Sequence, residues 1–281
     1  MDPFFATVPE ALKLKLVDGT ILQDTAIIPH FLPADAVSAA WDAACALPAC
    51  PTDAPLVRDA ERPQWVTGES KALNYRGRAV PRDKMWFQRD MDKYLRYGYT
   101  GWQWGVSAGT YRLGTVPALD SMVTTLDTKM NLKQAHNHVR TPPHAAPRAP
   151  PALTPPALPS AQWIVTRYET GEDCIGMHSD KVKDWVPGSA FCVIKMGAPR
   201  PFVFTQTTGD KDVVIFNQVL EPGTAVIVGF DANQRVKHGV PPAPGCGPSG
   251  SIVGRCIATA LPWPDVDREI SNRSLKRERE A

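Results

Sequence analysis

His178 is followed by Ser179 and Asp180, and this is the one His-x-Asp in a chain of 281 residues. Alone, such a tripeptide is weak, because a chance match is unremarkable. It follows a run, Cys174–His178, that reads as a strand, and strand alternation then places His178 and Asp180 on one face. An imidazole and a carboxylate there supply two of the three ligands of a facial triad. That arrangement leaves coordination positions open for oxygen and a chelating cosubstrate. His238 is the only histidine further along and is the candidate third ligand. Its alternative is a turn residue ahead of Pro241 and Pro242.

Arg255 lies among Ile252, Val253, Cys256 and Ile257 in the last strand candidate. A guanidinium in apolar surroundings is costly unless it is paired. A dicarboxylate cosubstrate would pair with it bidentately; an ion pair with another part of the chain is the alternative. A different chemistry is suggested between Lys71 and Thr100, where Lys71, Arg76, Arg78, Arg82, Lys84, Arg89, Lys93 and Arg96 are interleaved with Tyr75, Trp86, Phe87, Tyr94, Tyr97 and Tyr99. Cations for phosphates and rings for bases are what a nucleic-acid lid needs. An ordinary solvated surface over buried aromatics is the alternative.

The elements that must position these residues are short. Ala26–Ile28 reads as a strand. A helix is expected from about Ala34, with Val37, Ala40, Trp41 and Ala44 at helical spacing, and another over Ser121–Leu132. Residues 141–160 are dominated by proline and alanine and favour extended, solvent-exposed chain, read as an insert within one domain. His136, His138 and His144 at its edge are best read as solvated side chains. From Gln162 onward strand candidates succeed one another: Trp163–Tyr168, Cys174–His178, Phe191–Met196, Phe202–Thr205, Val213–Val219, Ala225–Phe230 and Ile252–Leu261. Turn residues such as Pro187-Gly188 and Pro222-Gly223 separate them. Many short strands at even spacing predict an α+β fold with a jelly-roll (double-stranded β-helix) core and flanking N-terminal helices. The single domain divides into an N-terminal helix and lid region (about 20–105), the insert, the core (161–263) and a polar tail (264–281).

Composition narrows the setting. Hydrophobic residues make up 43% and charged residues 21%, an ordinary globular balance. The formal charge is only +2, so any argument for nucleic acid rests on where charges lie. No apolar run approaches the roughly 20 residues that span a bilayer, and Met1–Lys15 lacks a signal peptide's apolar stretch. The six cysteines are scattered without a CxxC pair, which suits reduced thiols in a nuclear or cytoplasmic protein. A monomer is expected.

The order of several motifs then carries a resemblance. Thr166–Gly171, Ile175–Asp180, Pro187-Gly188-Ser189, Met196–Phe204, Glu221-Pro222-Gly223, Lys237–Pro241 and Arg255 together resemble the AlkB family of 2-oxoglutarate- and iron(II)-dependent dioxygenases. The likeness covers the second half closely and the part from Ala26 loosely. It implies that His178, Asp180 and His238 bind iron(II), and that Tyr168 and Arg255 contact 2-oxoglutarate, Arg255 through the distal carboxylate. Val80-Pro81-Arg82 and Tyr97–Gly101 are similar to the family's lid, which implies substrate contacts from Arg82, Tyr97 and Tyr99. The chain departs from the family at Thr166, usually Asn, and at Leu261, usually a second arginine; both family residues help hold the cosubstrate. Where the family commonly has an acidic residue past the His-x-Asp, this chain has Val182 and Lys183. The implied activity is oxidative demethylation of N-alkylated bases in DNA or RNA, consuming O2 and 2-oxoglutarate. The alternatives are hydroxylation of another substrate (a C-methylated base, a protein side chain or a small molecule), and a non-catalytic nucleic-acid-binding relative.

Overall fold

The fold comes from a computed structural model that describes residues 3–49, 64–68, 80–88, 95–96, 110–112, 116–130, 160–182, 185–257 and 261–262. In chain order the elements are α1 (Pro3–Ala6), a 3-10 turn (Glu10–Leu12), β1 (Thr25–Ile28), α2 (Ala34–Cys45), β2 (Asp83–Gln88), β3 (Leu95–Arg96), β4 (Thr110–Arg112) and α3 (Pro117–Met130). There follow β5 (Ser160–Tyr168), β6 (Ile175–His178), β7 (Phe191–Gly197), β8 (Arg200–Thr208), β9 (Lys211–Leu220), β10 (Ala225–Val228), α4 (Phe230–Arg235), β11 (Lys237–Val240), β12 (Ser249–Ile257) and β13 (Leu261–Pro262).

One sheet has the order β1-β10-β7-β12-β5-β2-β4 and a smaller one the order β6-β11-β8-β9. From β5 onward the chain alternates between them: β5, β7, β10 and β12 in the large sheet, β6, β8, β9 and β11 in the small one. This interleaving of antiparallel strands is a jelly roll. The fold class is α+β, as the spacing of strand candidates predicts.

β7 shows how sequence sets the layers. Six of its seven residues are buried, because both of its faces are covered. Phe191 and Val193 point between the sheets and pack with Tyr168, Phe202, Phe204 and Val240. Cys192, Ile194 and Met196 point the other way, into a cluster with Trp163, Val165 and α2 and α3. α2 buries Val37, Ala40, Trp41 and Ala44, the stripe its periodicity predicts. Gly197 ends β7 at φ 64°, and a Cβ there would lie 2.7 Å from the Trp41 ring. Only glycine allows both the left-handed turn and that approach.

Three elements differ from the expectations. The lid candidate contains a strand of the large sheet: β2 pairs with β5 from Asp83↔Arg167 to Gln88↔Gln162. Arg167 fastens it, donating to Asp83 Oδ2 at 2.7 and 3.0 Å with its guanidinium 4.7 Å from the Trp65 ring. The strand expected over Ala225–Phe230 stops at Val228, and Phe230–Arg235 is helical. Asp24 organises that turn, its backbone oxygen accepting from Gly229 N–H and its carboxylate from Ala232 N–H, a contact with no local signal. The last strand ends at Ile257, and Leu261 pairs instead with Arg96. The 141–159 part of the insert, the histidines at its edge and the polar tail lie outside the described residues. Among the described residues no helix is long and apolar enough to cross a membrane, and the described cysteines are free.

Candidate metal centre and the adjoining cavity

β11 lies between β6 and β8, and its register sets His238 directly opposite His178. Gly239 makes this possible, since a Cβ there would stand 2.8 Å from both Ile175 O and Met177 Sδ. The two imidazole centroids are 4.4 Å apart. His238 is buried against the rings of Phe191, Phe202 and Phe204, nearly parallel to Phe202 at 6.0 Å. His178 is half-buried. Its Nδ1 lies 2.8 Å from Gly176 O, and a carbonyl can only accept, so Nδ1 carries the proton. Nε2 is left with its lone pair, 3.6 Å from Asp180 Oδ1.

Asp180 sits just past the end of β6 and is held from three sides. Its backbone N–H donates to Asn233 Oδ1 at 3.0 Å, and its carbonyl accepts from Asn233 Nδ2 at 2.9 Å, a side chain imitating a strand partner. Ser179 Oγ donates to Val236 O at 2.9 Å. Arg255 then donates to Oδ2 through Nε at 2.9 Å and Nη2 at 2.5 Å. One carboxylate oxygen is committed to the guanidinium, and the other faces His178.

The charges follow from these contacts. Burial opposes ionisation of Asp180, but the Arg255 guanidinium beside it holds its carboxyl well below the usual carboxylate range. Burial pushes His238 down to about 3, so its ring is neutral at physiological pH. One carboxylate and two imidazoles offer ligand atoms that all lie within 4.8 Å of one another, a group able to hold a metal ion. His238 Nδ1 is buried without a hydrogen-bond partner. Such an orphan is unfavourable by about 1–3 kcal/mol, and an imidazole that forms no hydrogen bond at that nitrogen suits a ligand. The donor set fits a divalent ion of the iron, cobalt or zinc kind.

A cavity adjoins this centre between the two sheets. Phe202, which stacks on His238, and Val240, two residues along β11, belong to its wall. Tyr168, Lys195, Arg200 and Ser251 supply its polar groups. Burial pushes the Tyr168 hydroxyl up to about 12, so it remains a donor.

Several solved structures share part of the chain's path. It is similar to OsALKBH1, at 14% identity and a TM-score of 0.46 over 83% of this chain and 96% of that one. A prolyl-4-hydroxylase from Pseudomonas putida gives 17%, 0.43, 83% and 92% in the same order. An oxidoreductase of the 2OG-Fe(II) oxygenase family from Burkholderia pseudomallei gives 13%, 0.45, 85% and 87%. No protein-family profile matches the sequence, and no curated protein matches it.

His178, Asp180 and His238 are therefore brought together, and Tyr168 lies on the neighbouring cavity. Arg255 has the second of the two partners open to it: its guanidinium is paired with a carboxylate of the chain, Asp180, and stands 5.9 Å from the Trp185 ring. Arg82 is half-buried and donates from Nη1 to Cys174 O at 3.1 Å, at the entry to β6. Thr166 is buried, paired across the sheet with Ser251 and Lys84. Tyr97 and Tyr99 lie outside the described residues. Asn233 and Lys195 escaped the sequence reading. Asn233 has no local signature. Lys195 did have one, a lone cation in the apolar run Phe191–Met196, of the same kind that marked Arg255.

Proposed function

We propose that the chain is an iron(II)- and 2-oxoglutarate-dependent oxygenase. The observation that carries this is the pairing of His178 with His238 across β6 and β11, with one oxygen of Asp180 turned to them and the other committed to Arg255. Two imidazoles and one monodentate carboxylate on one side of an ion leave its remaining positions for an α-keto acid and O2. Iron(II) held there supplies, with those two co-reactants, the oxidising power to replace a C–H hydrogen by hydroxyl. The chain's own residues hold Asp180 ionised through Arg255, keep His238 neutral by burial and fix the His178 tautomer through Gly176. Phe191, Phe202 and Phe204 exclude water from the buried side.

The substrate we infer is an N-alkylated base in DNA or RNA, whose hydroxylated methyl group leaves as formaldehyde. Support comes from the basic and aromatic sequence between Lys71 and Thr100 and from two of its cations, Lys84 and Arg82. Lys84 is directed inward on β2, where burial and the charges of Arg82 and Arg255 push it down to about 7 against the pull of Asp180. Anionic substrate near that pair would be favoured.

The test is anaerobic loading with iron(II), then exposure to air with 2-oxoglutarate and methylated oligonucleotides, following succinate and base mass. The expected result is one succinate for each methyl lost. Succinate without base change moves the substrate to another class. A protein that binds iron(II) but never forms succinate with any substrate tried defeats the proposal.

A further inference from the structure

Lys195 shares the inner face of β7 with Phe191 and Val193 and is 8% exposed. Its ammonium donates to two carbonyl oxygens, Met196 O at 2.5 Å and Gly250 O at 3.3 Å. Arg200 lines the same cavity and is 1% exposed. Its terminal nitrogens donate to the carbonyls of Thr170, Gly171, Asp173 and Pro241 and to Ser249 Oγ, and its Nε is buried with no partner. Among the described residues no carboxylate forms an ion pair with either cation. Two buried cations without a carboxylate partner set the pocket up for an anion.

The cation is also placed at a definite depth. Phe191 meets His238 at 5.1 Å between ring centroids, and Lys195 is four residues further on the same face, about 13 Å along the strand. On β12, Arg255 meets Asp180, and Ser251 is four residues back on the same face. These neighbouring strands pair Lys195 with Ser251, so two polar groups share one level of the sheet, remote from the metal ligands, and Tyr168 on β5 adds a hydroxyl to the same cavity. Val193, Phe202, Val226 and Val240 form the apolar wall between, suited to methylene groups.

We propose that Lys195, assisted by Tyr168 and Ser251, binds the carboxylate of the cosubstrate that is remote from the metal, while Arg200 braces the 170–173 turn and adds its charge. Arg255 serves Asp180 instead. The proposal rests on the oxygenase reading above, because it presumes an α-keto diacid whose other end chelates the metal.

The experiment compares binding of 2-oxoglutarate with that of 2-oxopentanoate, which has the same chain without the remote carboxylate, to the full protein loaded with cobalt(II) or, anaerobically, iron(II). Calorimetry or the metal absorption band reports binding without turnover. The wild type is expected to prefer the diacid. Lys195→Met should weaken the diacid roughly 10- to 100-fold, the size of one charge-assisted contact, and leave the monoacid, the metal affinity and the melting temperature unchanged or the last slightly raised. Equal affinity of the wild type for the two acids overturns the assignment without any variant. So does a Lys195→Met protein that keeps the preference, or an Arg255→Met protein that alone abolishes it. Failure of the metal-loaded wild type to bind either acid removes the oxygenase reading itself, and this assignment with it.

Discussion

Arg255 places both of its hydrogen bonds to Asp180 on one oxygen, Oδ2, and leaves Oδ1 facing His178. The guanidinium thereby decides which lone pairs of the carboxylate remain for a metal. Both side chains are about one-tenth exposed, at 11% and 12%, and breaking a buried pair from one side is costly because the remaining charge stays buried. Arg255→Met should destabilise the metal-free protein by about 3 kcal/mol in urea unfolding. It should also weaken metal binding by roughly 10- to 100-fold, as loss of a supporting contact to a ligand does. Unaltered metal affinity would mean that Arg255 does not position Asp180.

Asn233 should matter as much as a ligand although it touches no metal. Asn233→Ala deletes two hydrogen bonds to the Asp180 backbone, both buried, for a loss of about 2 kcal/mol. The more specific expectation is a fall in metal affinity greater than that of a control variant, such as one in the cluster of Trp163, Val165 and α2, with the same stability loss. If the two variants bind metal equally, Asn233 is only a packing residue.

Gly239→Ala tests the strand register. The added methyl meets a backbone oxygen and a sulfur at 2.8 Å, so β6 must move away from β11 and carry His178 from His238. A loss of about 1–3 kcal/mol is expected from overpacking, together with a metal titration that is broadened or lost. A variant with normal metal affinity would show that β6 yields without disturbing the pair.

Much of this centre was legible in the sequence, and the reason is the period of two. His178 and Asp180 were placed on one face by alternation alone, and Arg255 was marked by its apolar neighbours. The α2 stripe followed from helical spacing in the same way. What alternation cannot supply is partner identity. Arg255 was seen to need an anion, but which anion depended on β12 lying beside the end of β6, a relation between segments 75 residues apart. α4 was missed because Asp24, more than 200 residues earlier, caps it. Lys195 carried a signal as clear as that of Arg255 and lacked only a motif around it.

The pH dependence of cosubstrate binding follows from Lys195. Burial pushes its ammonium down to about 7; the charges of Cys246 and Glu221 oppose this, and that of Arg200 adds to it. An unfolded lysine titrates near 10.4, so between these values the unfolded chain holds more protons. Stability of the ligand-free protein should therefore rise with pH from 7 to about 9.5 when measured against Lys195→Met. Tyr168, pushed up to about 12, stays protonated over that range. Because a carboxylate binds the ammonium form, 2-oxoglutarate affinity should fall over the same interval in the wild type, while 2-oxopentanoate affinity stays level. Parallel profiles for the two acids would contradict the assignment.

The alternation of β7 also limits what this pocket can evolve to accept. Inward positions recur only every second residue, about 6.6 Å apart, whereas diacids in a homologous series lengthen by single methylenes. Moving the cation from position 195 to 193 or 197 would overshoot any neighbouring member of the series. Position 197 is further closed by its left-handed turn under Trp41. Selectivity for chain length is therefore quantised by the strand, and finer adjustment falls to the reach of the side chain at 195 and to its partner Ser251 on β12.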